Sequence, residues 1–147
     1  LLARMRVQVV CTTDDPVDSL HYHEQVARQE NGINMFPTFR PDKAYSTKDV
    51  TAYNQYLDQL AQTAGVTIQS LDDVVNALYK RMTYFESFGC RVSDHGLECL
   101  DFQPGNANKA QELFKQIRAG KSLTGEEQRM IQHALLLELG RLYHRKG

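Results

Sequence analysis

The chain has 147 residues, 41% of them hydrophobic, and a formal net charge of −1 from 17 basic and 18 acidic side chains. This is the composition of one globular domain, and it excludes a disordered segment and a nucleic-acid binder with a basic stripe. No apolar run approaches the roughly 20 residues of a membrane-spanning helix, so no membrane partner is expected.

The chain starts Leu1-Leu2-Ala3-Arg4-Met5, without an initiator Met and without the pattern of a signal peptide. The expectation is a piece of a longer protein. Cys11, Cys90 and Cys99 are odd in number and lack metal-ligand spacing. Cys11 and Cys90 fall in segments that read as buried strands, where a free thiol acts as a small hydrophobe, and a reducing cytoplasm is the expected compartment.

Taken in order, Arg6 to Thr12 is Val-rich and reads as a buried strand. Asp15 before Pro16 predicts an N-cap and first helical residue, with a helix over 17–29 that turns Leu20, Val26 and Ala27 inward and stops at Asn31-Gly32. A second strand over 33–39 ends against Pro41, because proline cannot continue a ladder. Ser46 with Asp49 predicts a capping-box start. Val50, Tyr53, Leu57, Leu60 and Ala64 then form a helical stripe closed by Gly65.

Ser70 with Asp73 repeats the start signal, followed by Leu71, Val74, Val75, Leu78, Met82 and Phe85, with a stop at Gly89. A third strand is expected over 90–93, then helices over 106–119 and 125–145, the second opened by the Thr124/Glu127 capping box. Leu136 and Leu137 beside the stripe of Ile131, Ala134, Leu135, Leu139 and Leu142 predict a last helix buried on more than one side. The basic tail Arg141, His144, Arg145 and Lys146 suits the negative end of that helix's dipole. Strands separated by helices imply an α/β fold with a parallel sheet.

Chemistry in such folds gathers at the C-terminal ends of the strands. Three polar clusters stand there. Asp14-Asp15-Pro16 follows the first strand. Asp15 is accounted for by capping, whereas Asp14, with Thr12 and Thr13, is free to line a site. Arg40, between Pro37 and Pro41, could hold a planar carboxylate or pair with Asp14, Asp42 or Asp94. Asp94-His95 directly follows the third strand. There a carboxylate can act as general base or metal ligand, and a neighbouring imidazole can polarise or relay a proton. His21 and His23, two apart on a helix, do not face each other and could not share an ion.

The segments Val10-Cys11-Thr12-Thr13-Asp14-Asp15-Pro16-Val17-Asp18-Ser19-Leu20, Pro37-Thr38-Phe39-Arg40-Pro41-Asp42-Lys43-Ala44 and Gly89-Cys90-Arg91-Val92-Ser93-Asp94-His95 resemble the central part of the uronate (glucuronate) isomerases. The resemblance runs along the whole chain. It implies an amidohydrolase-like, distorted (β/α)8 barrel, of which about three parallel strands with a large helical complement would be present. The βα units would occupy 1–95 and a helical extension 96–147. The implied activity is the interconversion of D-glucuronate with D-fructuronate, and of D-galacturonate with D-tagaturonate, in bacterial hexuronate breakdown.

The resemblance further implies that Asp94 is an active-site carboxylate, with His95 beside it, and that Arg40 points into the substrate site; Asp14, from its place after the first strand, is a further substrate-binding candidate. No residue of this chain is assigned to a metal. The family's divalent metal, zinc among the candidates, would be held by a His-x-His before residue 1 and by ligands after residue 147. A hexuronate is thus the expected partner of the full-length protein. The chain alone is expected to be inactive and to self-associate through unpaired strand edges. Two alternatives stay open at this point: a receiver-like signalling domain with Asp14 and Asp15 on magnesium, and a structural helical module in which the clusters are only caps.

Overall fold

The computed structural model describes residues 2–29, 32–97 and 106–147. Asn31 of the expected Asn31-Gly32 stop, and Cys99, lie outside them. After a short 3-10 turn at Ala3–Met5, the elements are β1 (Val9–Asp14), α1 (His21–Ala27), β2 (Asn34–Phe39), a 3-10 turn at Asp42–Tyr45, then α2 (Val50–Ala64), α3 (Leu71–Ser87), α4 (Ala107–Arg118) and α5 (Gly125–Lys146). β1 and β2 pair in parallel, Val9 opposite Asn34 and Asp14 opposite Phe39. The coarse α/β expectation therefore holds.

The expected third strand is reduced to one parallel bridge between Phe39 and Ser93. Gly89 sits at a φ of +83° and the Cys90 thiol turns back onto the Val92 carbonyl, so only one residue of 90–93 runs extended beside β2. β1 also differs from expectation. It begins later, and its residues alternate between exposed and half-buried. With β2 on one side and no described strand on the other, β1 is an edge, and Cys11 is exposed rather than buried.

The first helix is shorter than the expected 17–29. Asp15 Oδ1 does accept the Val17 N–H at 3.1 Å, as a cap would. The buried Arg81 of α3, however, takes the carbonyls of Pro16 (2.6 Å) and Asp18 (2.8 Å). Those carbonyls are the ones a helix starting at 17 would use for its own ladder. The segment stays a turn, Leu20 is buried at a φ of +56°, and α1 starts at His21. On α1 the buried residue is His23, whereas Ala27 is exposed.

The core lies among the helices. α2 packs on α3 and α4, and α5 on α4 and α3. Tyr53, Leu57, Leu60, Leu78, Phe85, Phe114, Ile117, Ile131, Leu135 and Leu139 are essentially inaccessible, and each buried apolar side chain contributes roughly 1.5–3 kcal/mol. Both capping boxes form, at Ser70/Asp73 and at Thr124/Glu127. α2, by contrast, is capped by Asp49 and not by Ser46, because the 3-10 turn at Asp42–Tyr45 carries the chain through Ser46 first. Leu137 is exposed, so α5 is not buried on every apolar side. Phe39, the last residue of β2, meets Phe85 of α3 edge-to-face at 5.2 Å, which anchors the strand end to the helical core.

Candidate active site

The end of β2 gathers the three clusters. The Arg40 N–H donates to the Asp14 carbonyl at 3.0 Å, and the Asp94 N–H donates to the Phe39 carbonyl at 3.1 Å. The backbone thus brings Arg40 and Asp94 side by side. Arg40 Nε donates to Asp42 Oδ2 at 2.9 Å, and Nη1 lies 3.6 Å from Asp94 Oδ2. Of the open pairings for Arg40, the structure selects Asp42 and Asp94. The bond to Asp42 and the nearby Asp94 charge raise the guanidinium pKa further above its already high value. Both side chains of the Arg40–Asp94 pair stay reachable, at 37% and 44% exposure.

Asp42 is the hub beneath them. Its Oδ1 accepts from the Tyr45 hydroxyl at 2.5 Å, and its Oδ2 accepts from Arg40 and from the Gly96 N–H at 3.0 Å. Burial alone would raise its pKa. The bonds from Tyr45, Gly96 and Arg40 outweigh that, and the carboxyl is held below the usual range. A methyl group at Gly96 would lie 2.7 Å from Arg40 Nη2 and 2.8 Å from Asp42 Oδ2, so this corner admits glycine alone without rearrangement.

His95 stands between two tyrosines, with Nδ1 3.1 Å from the Tyr45 hydroxyl and Nε2 2.9 Å from the Tyr143 hydroxyl of α5. Burial lowers its pKa against the pull of Asp42 and Asp94. Burial also raises the pKa values of Tyr45 and Tyr143, so both hydroxyls remain protonated. Beside the cluster, a cleft of about 420 Å³ is lined by Asp42, Tyr45, Gly96, Lys48, Gln128 and Arg129 among others, a size in the range of small-molecule sites.

Asp14 is engaged differently. Its Oδ2 accepts from Thr12 Oγ1 at 2.6 Å and from the Thr38 N–H at 3.3 Å, and lies 3.7 Å from His23 Nε2. Its carboxylate ties β1, β2 and α1 together, and only its backbone carbonyl meets Arg40. Asp15 turns to the Tyr56 hydroxyl (3.0 Å) and to Lys43 (3.3 Å). Among the described residues no cluster of three or more His, Cys, Asp or Glu could hold a metal ion.

Sequence reasoning missed Tyr45, Tyr143 and His23 as parts of these networks, whereas Thr12 was named with Asp14 and does bind it. Tyr143 carried one usable signal: it lies four residues after Leu139 on the core stripe of α5, where a hydroxyl needs a partner.

The fold and the site together define an α/β chain with a polar strand-end cluster built on an arginine–carboxylate pair. The family model described as glucuronate isomerase matches residues 1–147, and the chain belongs to that family. A uronate isomerase from Opitutus terrae is 42% identical over 147 residues, and one from Cellvibrio japonicus 40% over 148, each alignment covering 100% of this chain and 31% of the relative. The crystal structure of uronate isomerase from Thermotoga maritima superposes with a TM-score of 0.90 at 28% identity, over 99% of this chain and 32% of that one. That of glucuronate isomerase from Caulobacter crescentus superposes with a TM-score of 0.82 at 22% identity, over 96% and 29%, a likeness of fold alone. The chain thus spans about a third of the length of the relatives it matches. The match runs against the receiver-like alternative. No helix among the described residues is long and apolar enough to cross a membrane.

Proposed function

We propose that this chain supplies part of the substrate site of an enzyme that interconverts D-glucuronate with D-fructuronate, and D-galacturonate with D-tagaturonate, by proton transfer through an enediol. The observation that carries the reading is the partly exposed Arg40–Asp94 pair, 3.6 Å apart at a strand end. Isomerisation moves a proton between C2 and C1 of the open-chain sugar acid. It needs a carboxylate near C2, a group that steadies the developing oxyanion, and a cation for the C6 carboxylate.

In this reading Asp94 takes and returns the proton. Arg40, held at Nε by Asp42, offers its terminal nitrogens to the C6 carboxylate. His95 completes the catalytic neighbourhood beside Asp94, and both of its nitrogens face tyrosine hydroxyls. Asp14 contributes by binding Thr12 and Thr38 and so shaping the substrate side of β1 and β2.

A divalent metal, zinc among the candidates, would belong to segments of the full-length protein outside these residues, and no step here is routed through it. We also propose that residues 1–95 are βα units of a larger (β/α)8 barrel, that 96–147 are a helical extension, and that the compartment is the cytoplasm. The partner is the hexuronate, with neither nucleic acid nor membrane involved.

The reading is tested by incubating D-glucuronate with the full-length enzyme and with the 147-residue chain and measuring ketose. Turnover by the full-length enzyme alone is expected. Its absence there, or appreciable turnover by the chain alone, would overturn the reading.

A further inference from the structure

The hydrogen bonds around His95 have a direction that the proposed reaction does not require. An ionised carboxylate only accepts, so Tyr45 spends its single hydroxyl proton on Asp42 Oδ1, 2.5 Å away. At its 3.1 Å contact with His95 Nδ1 the same oxygen can only accept, so Nδ1 carries the hydrogen. A neutral imidazole has one N–H, which leaves Nε2 an acceptor. The Tyr143 hydroxyl, 2.9 Å from it, therefore donates.

The surroundings keep each group in the state this requires. The groups facing His95 are Tyr45 and Asp42 from the 3-10 turn, Arg40 and Asp94 from the strand ends, and Tyr143 from α5. Burial favours the neutral ring over the attraction of the two carboxylates, and it keeps both tyrosines protonated. At the far end, Asp42 uses its other oxygen to hold Arg40 Nε and the Gly96 N–H.

We propose that Tyr45 and Tyr143 are positioning residues that lock His95 as its Nδ1–H tautomer, in a one-way hydrogen-bond chain from Tyr143 through His95 and Tyr45 to Asp42, and that this chain fixes the orientation in which Asp42 presents Arg40. Which nitrogen of a histidine carries the proton is set by the bond the other makes, and here both ends are set by different elements. α5, late in the sequence, thereby acts on an arginine at the end of β2. That this orientation serves a sugar-acid site rests on the proposed function; the tautomer itself does not.

The test is nitrogen-15 NMR of the full-length enzyme labelled at histidine, with His95→Gln assigning the signals. His95 is expected to be neutral at pH 7 with its proton on Nδ1. A proton on Nε2, or an imidazolium, would overturn the proposal. Tyr45→Phe removes the acceptor. The Nδ1–H population is then expected to fall, and KM for D-glucuronate to rise about 3- to 10-fold, with a smaller change in kcat, as for loss of one hydrogen bond.

Tyr143→Phe leaves that acceptor and removes the donor to Nε2, so the titration midpoint of His95 is expected to rise. A tautomer that ignores the first substitution, or a midpoint that ignores the second, would equally overturn the lock. The spectra are read without substrate, so an enzyme inactive on uronates would contradict the proposed function and not this assignment.

Discussion

Arg40 meets Asp94 because Phe39 holds the backbone on both sides of Ser93. The Phe39 N–H donates to the Val92 carbonyl at 3.1 Å and its carbonyl accepts the Asp94 N–H at 3.1 Å, leaving the two charges 3.6 Å apart. Phe39 itself is buried against Phe85. The pair is therefore placed by main chain and core, and exchanging either charged side chain should leave the fold standing.

For Arg40→Lys in the full-length enzyme, an ammonium keeps the charge and loses the planar fork that reaches Asp42 at Nε while presenting its terminal nitrogens. Charge-assisted hydrogen bonds of this kind contribute about 1.5–3 kcal/mol. KM for D-glucuronate should rise roughly 10- to 100-fold, more than kcat falls, as steady-state kinetics will show. An unchanged KM would remove Arg40 from substrate binding.

The glycines at the two ends of the Cys90–His95 segment should behave differently. At Gly96 the added methyl meets the flexible tip of Arg40 and the Asp42 carboxylate, so Gly96→Ala should damage KM while urea unfolding changes little. At Gly89 the backbone is at a φ of +83° and the methyl would stand 2.7 Å from the Phe36 ring. Gly89→Ala should cost about 1–2 kcal/mol from the backbone alone, with more from the ring, read as a lower urea midpoint.

Stability should fall as the solution is acidified, in two stages. His95 has a folded pKa below its ordinary 6.5. Between those two values the unfolded chain binds the extra proton, so stability declines as pH drops below about 6.5. Asp42 and the capping residues Asp73 and Glu127 are held below their ordinary 3.8, 3.8 and 4.5. Their contribution is complete above those values and is lost as pH falls through the folded pKa values. Urea midpoints measured from pH 8 to pH 3 should show both declines, and His95→Gln should abolish the upper one. A midpoint that rises on acidification would contradict the assignment.

The 147-residue chain taken alone should self-associate. Among the described residues no strand pairs with the free side of β1, and Val9 and Val92 are 52% and 50% exposed, the combination that templates strand pairing. Sedimentation over rising concentration should show oligomers. A strictly monomeric species would count against the exposed edge.

Much of the helical frame was legible because it rests on local chemistry. The Ser70/Asp73 and Thr124/Glu127 boxes and the stripes through Leu57, Leu78 and Ile117 need only residues three or four apart, and they form as expected. The departures occur where a distant residue intervenes. Arg81 prevents a helix at 17, and the turn at Gly89 leaves one bridge where a strand was expected. In the site, Arg40, Asp94 and His95 stood out by their place after apolar runs. Tyr45 and Tyr143 did not, because their role arises only when the 3-10 turn and α5 meet at His95.

The most direct test of the central claim is Asp94→Asn in the full-length enzyme, with kcat measured for D-glucuronate and the fold checked by circular dichroism. Loss of a general base costs about 10²–10⁴-fold, and a fall of that size with an unchanged spectrum is the expected result. Near-normal turnover by a folded Asp94→Asn enzyme would contradict the account.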